Sequence, residues 1–188
     1  MRTIRIITGE IDSGKTTELN RRIEEHRRQG MRLGGFITEA VWRDGIKQAY
    51  YLRRLGTEER LPLAERADSA GVQGSSRASG GKRDAGGAPA ESEEKAPRTP
   101  GFVFHRESFA VASEWLRESS EADVLCIDEL GPVELRGEGH WPVLSRILET
   151  RRGAVETVIR SELLEEFTQR FEAMGWAVEI MRVSFTGE

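Results

Sequence analysis

Cysteine is almost absent from this chain of 188 residues, whose single thiol belongs to Cys126. One cysteine excludes a disulfide within the chain and is typical of a protein from a reducing compartment. Basic residues are not in excess either, because 28 lysines and arginines accompany 32 acids and leave a formal net charge of −4. This charge argues against a protein that binds nucleic acid or a membrane surface, so neither partner is expected.

Long apolar runs are also missing. No stretch is long enough to span a bilayer, and the N-terminal residues lack the apolar core of an export signal. We therefore expect a cytoplasmic protein. The length suffices for a single α/β domain over residues 1–188 with a sizeable core.

Several catalytic signatures are lacking as well. The three histidines, His26, His105 and His140, do not have the spacing of metal ligands, so we do not expect a zinc site. No Gly-x-Ser-x-Gly elbow occurs, and no motif pairs a histidine with a nucleophile. The chemistry must therefore be sought in other residue types.

One phosphate-binding motif is present in full. Residues 9–16 read G-E-I-D-S-G-K-T, which matches the Walker A pattern GxxxxGK[ST] without a mismatch. An apolar, β-branched run precedes this loop, and a segment of helical character follows it. In a strand–loop–helix arrangement the backbone N–H groups and the helix N-terminus point at a phosphate. The motif therefore predicts a nucleotide site.

The loop residues have distinct expected roles. Gly9 and Gly14 allow the backbone to approach phosphate oxygens without a Cβ in the way. Lys15 supplies a positive charge for the β- and γ-phosphates, and Thr16 offers a hydroxyl to Mg²⁺. The predicted nucleotide-binding residues are Gly9, Glu10, Ile11, Asp12, Ser13, Gly14, Lys15, Thr16 and Thr17.

A second motif follows the apolar run 124–127. The acids Asp128 and Glu129 come directly after it, as in a Walker B strand whose aspartate binds Mg²⁺. We therefore predict Thr16 and Asp128 as the metal ligands. Glu129 is suited to accept a proton from an attacking water, which favours hydrolysis over transfer to a bound acceptor. The predicted catalytic residues are Glu129 and Lys15, and a solvated acid at a strand end is the alternative for Glu129.

Phosphoryl transfer also needs a positive charge beside the γ-phosphate in the transition state. Arg160 follows the apolar segment 154–159, where a γ-phosphate sensor is expected, and Arg43 precedes a predicted turn. We consider both as a sensor or an arginine finger. An ordinary surface position is the alternative for each.

Apolar segments of strand and helix type alternate along the chain. This order predicts an α/β fold with an open, mainly parallel sheet and helices on both faces. The Asp44-Gly45 pair predicts an additional antiparallel hairpin. The predicted helices are 14–29, 107–119, 141–150 and 163–174. The predicted strands are 1–8, 36–41, 46–55, 61–64, 102–104, 123–128, 154–159 and 176–183, the last at a sheet edge.

Composition changes sharply over residues 68–99, which are mainly glycine, serine, alanine and proline. Such a segment cannot bury enough apolar surface to offset the entropy of ordering. We predict a flexible, low-complexity insertion within the one domain. A tolerated surface insertion and a protein-binding segment are both open interpretations.

Three blocks of the chain resemble a known family. They are residues 7–17, residues 34–39 (G-G-F-I-T-E) and residues 127–135 (I-D-E-L-G-P-V-E-L), the last far more specific than a general Walker B strand. They are similar to the small nucleoside-triphosphatase family first described from thermophiles, whose vertebrate members are called cancer-related nucleoside-triphosphatases. The resemblance covers residues 1–66 and 101–150 well and the C-terminal part loosely. The insertion at 68–99 and Arg160, where relatives place a polar residue or histidine, depart from the family pattern.

This resemblance implies a RecA-like P-loop NTPase fold and Mg²⁺-dependent hydrolysis of nucleoside triphosphates, ATP, GTP or others, to the diphosphate and phosphate. It also implies broad base tolerance, and we expect turnover to be slow. Two alternatives stay open. A nucleotide or nucleoside kinase would need an acceptor pocket and a lid, for which the predicted hairpin 43–54 is the candidate. A nucleotide-regulated binding module would act through the insertion.

Overall fold

The computed structural model describes residues 2–67, 98–99 and 101–184. Most of the predicted insertion, residues 68–97, lies outside them. The helices are α1 Lys15–Arg28, α2 Arg106–Glu118, α3 Pro132–Leu135, α4 Trp141–Thr150 and α5 Leu164–Ala173, with a 3₁₀ turn at Ser161–Leu163. The strands are β1 Thr3–Gly9, β2 Leu33–Arg43, β3 Ile46–Arg54, β4 Arg60–Arg66, β5 Arg98–Thr99, β6 Phe102–Phe104, β7 Val124–Leu130, β8 Ala154–Arg160 and β9 Ala177–Arg182.

The strands described form one mixed sheet in the order β5-β6-β4-β3-β2-β7-β8-β1-β9. The strands β2, β7, β8, β1 and β9 are parallel, whereas β3, β4, β6 and β5 add an antiparallel extension. Strand β8 lies between β1 and β7, so the carboxyl ends of these three strands meet at one edge of the sheet. The predicted mainly parallel sheet is confirmed, and β9 is an edge strand as predicted.

Helices cover both faces of the sheet, as predicted. Helix α1 packs through Leu19 and Ile23 on one face, together with Ile7 of β1. Helices α2, α4 and α5 pack on the other face, which also receives Ile4 and Ile6. The alternation within β1 follows from the two-residue period of a strand. No helix among the described residues is long and apolar enough to cross a membrane.

Strand β2 is longer than the predicted 36–41 because it has different partners along its length. Its first residues, Leu33 to Phe36, pair with β7, and the part from Phe36 onward pairs with β3. Gly35 has a φ of +95°, and a Cβ there would lie 1.9 Å from the Cys126 carbonyl oxygen. Glycine therefore lets β2 approach β7 at this point.

The predicted hairpin is confirmed between β2 and β3. Asp44 and Gly45 have φ values of 51° and 73°, so both central residues of the turn are left-handed, as a type I′ turn requires. Most helix limits differ by about one residue from the prediction. The short helix α3 was not predicted, although Pro132 at its first position is a recognised start signal.

Candidate functional site: a nucleotide cavity at the strand ends

A cavity of about 530 Å³ opens where β1, β7 and β8 end. The loop before α1 forms one wall through residues 11–17, and the β2–β3 hairpin forms another. The remaining lining residues are Thr38, Ala40, Trp42, Lys47, Tyr50, Glu129, Val158 and Arg160. We call this the nucleotide cavity.

The loop needs both of its glycines. A Cβ on Gly9 would lie 2.3 Å from the Val183 carbonyl oxygen, and Gly14 has a φ of +90°. Lys15 begins α1, and its ammonium donates a hydrogen bond to the Glu10 carbonyl oxygen. Partial burial lowers the pKa of Lys15. The loop thus wraps around this ammonium at the N-terminus of a helix, the arrangement that binds phosphates.

Asp128 is buried at the carboxyl end of β7, with 2% of its surface exposed. Its Oδ1 accepts a hydrogen bond from Thr16 Oγ1 at 3.3 Å, and its Oδ2 accepts one from the Thr38 backbone N–H at 3.1 Å. Burial raises the pKa of Asp128 to about 7. A hydroxyl and a carboxylate oxygen therefore lie side by side, and such hard oxygen ligands fit Mg²⁺.

Glu129 interrupts the pairing of β7 with β8. Its φ of +65° is in the left-handed region, and the register shifts between Ile127 and Leu130. The prediction that this strand ends at Asp128 is wrong, because β7 resumes its pairing with β8 at Leu130. The bulge presents the Glu129 side chain to the nucleotide cavity. A strained backbone kept in this position is often found at functional sites.

Arg160 closes β8, and its guanidinium lies against Glu129. Nη2 and Nε of Arg160 donate to Glu129 Oε1 at 2.7 and 3.1 Å. Both residues line the nucleotide cavity. Arg43, the other arginine considered from the sequence, is exposed near the hairpin turn and does not line this cavity.

The hairpin contributes a cation that the sequence did not indicate. Lys47 lies with its Nζ 3.5 Å from Asp12 Oδ1 and 4.8 Å from the ring centroid of Trp42. Thr38 was likewise missed, although its backbone N–H and its hydroxyl both bond to Asp128. Lys47 has no local signal, whereas Thr38 belongs to the block 34–39 that resembles the family. The pairing of β2 with β3 and β7 brings both residues to the loop.

Comparison with known proteins gives consistent results. A family model described as NTPase matches residues 5–185. Nucleoside-triphosphatase THEP1 of Thermococcus kodakarensis is 28% identical over 184 residues, which are 95% of this chain and 84% of the relative. The THEP1 protein of Thermofilum pendens is 26% identical over 159 residues, 84% of this chain and 74% of the relative.

Two solved structures share the fold. The solution structure of a human cancer-related nucleoside triphosphatase superposes with a TM-score of 0.67 at 22% identity, covering 99% of this chain and 90% of that one. The crystal structure of THEP1 from Aquifex aeolicus gives a TM-score of 0.63 at 18% identity, with 98% and 90% covered. The chain therefore has the P-loop fold of these nucleoside triphosphatases.

Proposed function

This chain belongs to the NTPase family and is a nucleoside-triphosphatase, and we propose that it uses Mg²⁺, turns over slowly and discriminates little between bases. The bond cleaved is the β–γ phosphoanhydride, with a nucleoside diphosphate and phosphate as products. The names of the relatives favour this hydrolysis over the kinase and binding-module alternatives.

One observation carries the mechanism: Lys15, Glu129 and Arg160 line the same cavity, next to the buried Asp128. The loop N–H groups and the Lys15 ammonium bind the β- and γ-phosphates. Thr16 Oγ1 and the Asp128 carboxylate would hold Mg²⁺, which when bound neutralises charge on the phosphate oxygens. These contacts position the substrate and stabilise negative charge.

Glu129 is the proposed general base. Its carboxylate accepts a proton from water while the water oxygen bonds to the γ-phosphorus and the bridging oxygen leaves with the diphosphate. Arg160, held 2.7 Å from Glu129 Oε1, places a guanidinium where charge grows on the γ-phosphate. When Arg160 leaves Glu129 and contacts the γ-phosphate instead, the Glu129 carboxylate becomes available to accept a proton from water.

The hairpin wall of the nucleotide cavity supports the proposal of broad base tolerance. Trp42, with 53% of its surface exposed, and Tyr50 line the cavity and offer ring faces. Stacking on a ring face tolerates every base, because all bases have one.

The test is phosphate release from ATP, GTP, CTP, UTP and the deoxynucleotides, with and without Mg²⁺. We expect rates within about tenfold across bases and loss of activity without the metal. Glu129→Gln should retain nucleotide binding and lose roughly 100-fold or more in turnover, the usual contribution of a general base. Equal hydrolysis by this variant would remove Glu129 from the mechanism, and unchanged ATP affinity in Lys15→Ala would contradict the loop assignment.

The same assay with added nucleosides or nucleoside monophosphates tests the kinase alternative. Hydrolysis predicts phosphate release that needs no acceptor. Consumption of ATP that depends on the acceptor and yields no free phosphate would contradict the proposal.

A further inference from the structure

A second cavity, of about 500 Å³, adjoins the nucleotide cavity. Thr38, Tyr50, Glu129 and Arg160 line both. Away from these shared residues, apolar side chains of β3, β4, β6 and α2 form one side of the second cavity, and a more polar end lies around α3. We call it the aromatic cavity, after Tyr50, Phe102, Phe104 and Phe109. Its volume is in the range of sites that enclose small organic ligands.

The aromatic cavity has a buried and firmly held floor. Leu52, Leu63 and Phe109 are 1%, 8% and 8% exposed. At the polar end, the buried Glu134 carboxylate accepts hydrogen bonds from the backbone N–H of Gly131 at 2.9 Å and of His140 at 3.3 Å. These bonds join α3 to the start of α4, so this end of the cavity is preformed.

His140 forms part of the cavity wall at the polar end. Its imidazole lines the cavity, and only 3% of the residue's surface is exposed. The ring packs against the rings of Phe36 and Phe109, with a distance of 4.8 Å between centroids in each pair. Its Nδ1 is buried with no hydrogen-bond partner among the described residues. A buried nitrogen without a partner costs roughly 1–3 kcal/mol. This nitrogen has almost no accessible surface, so it lies behind the wall, and His140 contributes to the cavity as a ring packed against Phe36 and Phe109.

The lining also selects the charge of the ligand. Four carboxyl groups, those of Asp128, Glu129, Glu134 and Glu162, line the cavity with only two guanidinium groups, those of Arg136 and Arg160. Electrostatic repulsion from this acidic lining would weaken the binding of a phosphate or a carboxylate. The aromatic walls favour a flat ring, because ring faces stack.

We propose that the aromatic cavity is a second ligand site, which binds an uncharged planar heteroaromatic alcohol the size of a nucleoside. The ring lies among Tyr50, Phe102 and Phe104, and the hydroxyl-bearing part faces Glu129. Because Glu129 and Arg160 line both cavities, the bound ligand takes space needed by the attacking water and slows phosphate release. This slowing rests on the proposed function, whereas the binding itself does not.

Adenosine and thymidine are suitable probes, titrated calorimetrically into protein saturated with Mg²⁺ and a non-hydrolysable ATP analogue. Saturation of the nucleotide cavity leaves the aromatic cavity as the site observed. We expect one nucleoside per chain. Leu63→Trp, which fills the cavity from β4, should weaken binding at least tenfold. Leu61→Trp, the same substitution on the same strand outside the cavity lining, should change it less than twofold.

Folding of the variants is checked through their affinity for the ATP analogue. If Leu63→Trp does not fold, Phe104→Leu serves instead, because it removes one of the rings that face the ligand; it should also weaken binding at least tenfold. Absence of nucleoside binding up to millimolar concentrations, or wild-type affinity in the folded cavity variant, would overturn the proposal.

The Lys15→Ala variant separates this proposal from the proposed function. It should lose hydrolysis and still bind the nucleosides, and adding Leu63→Trp to it should remove that binding. A chain that fails to hydrolyse triphosphates but shows this pattern would refute the proposed function and support the second site. Hydrolysis in the wild type without nucleoside binding would refute the second site alone.

Discussion

At the scale of single residues, Glu129 and Arg160 have the most consequential environment. The left-handed backbone of Glu129 directs its carboxylate at Arg160, 31 positions away in the chain, and the two side chains are each 34% exposed. An ion pair this accessible contributes little to stability. Its placement in the nucleotide cavity therefore suggests a contribution to function, which substitution can measure.

Replacement of Arg160 should affect turnover more than substrate binding. The guanidinium is proposed to act on charge that develops in the transition state, so Arg160→Ala should lower kcat by about 100-fold with a much smaller change in KM. Arg160→Lys, which keeps the charge without the two parallel N–H groups, should be intermediate. Steady-state phosphate release measures both. Arg43→Ala is the matched control and should stay within twofold; an equal loss there would contradict the assignment.

The protonation of His140 should make the fold sensitive to acid. Burial lowers the pKa of His140 from about 6.5 to about 3. Between these values the unfolded chain binds a proton that the folded chain does not, so the free energy of unfolding falls as the pH is lowered from 6.5 towards 3. The loss is up to about 5 kcal/mol for one such group.

Chemical denaturation of the wild type and His140→Phe across this pH range checks the effect. The variant should lose less stability with falling pH. Burial raises the pKa of Glu134 to about 7, and this group acts in the opposite direction, with stability lost as the pH rises from 4.5 to 7. Glu134 is present in both proteins, so the difference between their pH profiles isolates His140. Parallel profiles would contradict the prediction.

At the scale of elements, β2 determines how the parallel and antiparallel parts of the sheet join. It pairs with β7 through its first residues and with β3 through the rest. The contact of Gly35 with the Cys126 carbonyl lies at this junction. Strand β2 also places the Thr38 backbone N–H within hydrogen-bonding distance of the Asp128 carboxylate. It then continues into the hairpin that brings Lys47 to the phosphate loop.

Gly35→Ala should therefore be strongly destabilising. The new Cβ would lie 1.9 Å from a backbone oxygen, and the φ of +95° disfavours any side chain. We expect a loss of at least ~3 kcal/mol, from steric overlap and left-handed strain together. Gly45→Ala is the control, because its φ is +73° with no atom within 4 Å. It should cost about 1 kcal/mol, from strain alone. Thermal unfolding distinguishes the two, and equal losses would exclude the close contact as the cause.

At the scale of the whole molecule, the chain leaves and re-enters the sheet at neighbouring points around residues 68–97. The Ala67 backbone N–H donates to the Gly101 carbonyl oxygen at 3.0 Å, and Arg66 pairs with Phe102. The two ends of the predicted insertion are thus held together by β4 and β6. The insertion itself stays a prediction, and its last two residues, Arg98–Thr99, form β5.

A six-residue glycine–serine linker in place of residues 68–97 should leave hydrolysis within twofold. The flanking strands are paired without the segment, and the entropy of loop closure changes only slowly with loop length. Phosphate release and thermal unfolding measure the outcome. Loss of turnover in a folded variant would assign the segment to the site, and loss of a captured partner with turnover intact would support the binding-module alternative.

The amino-acid sequence by itself determined the features that depend on local chemistry. Residues 9–16 match a phosphate loop, Asp128 and Glu129 follow an apolar strand, and Asp44-Gly45 requires a left-handed turn. Residue spacing also located most helices, because amphipathic periodicity and Gly30 after α1 are local signals. The prediction of a mainly parallel sheet with helices on both faces followed from their order.

Only the tertiary structure decided which distant residues meet. Many arginines are present, and the register of β8 between β1 and β7 is what brings Arg160 to Glu129. Lys47 reaches the loop through strand pairing, and the aromatic cavity is built from elements as far apart in the chain as β2 and β8. Side-chain direction depends on register, and a shift of one residue would turn each side chain to the other face. Contacts of this kind arise from packing between segments, for which the sequence carries no local pattern.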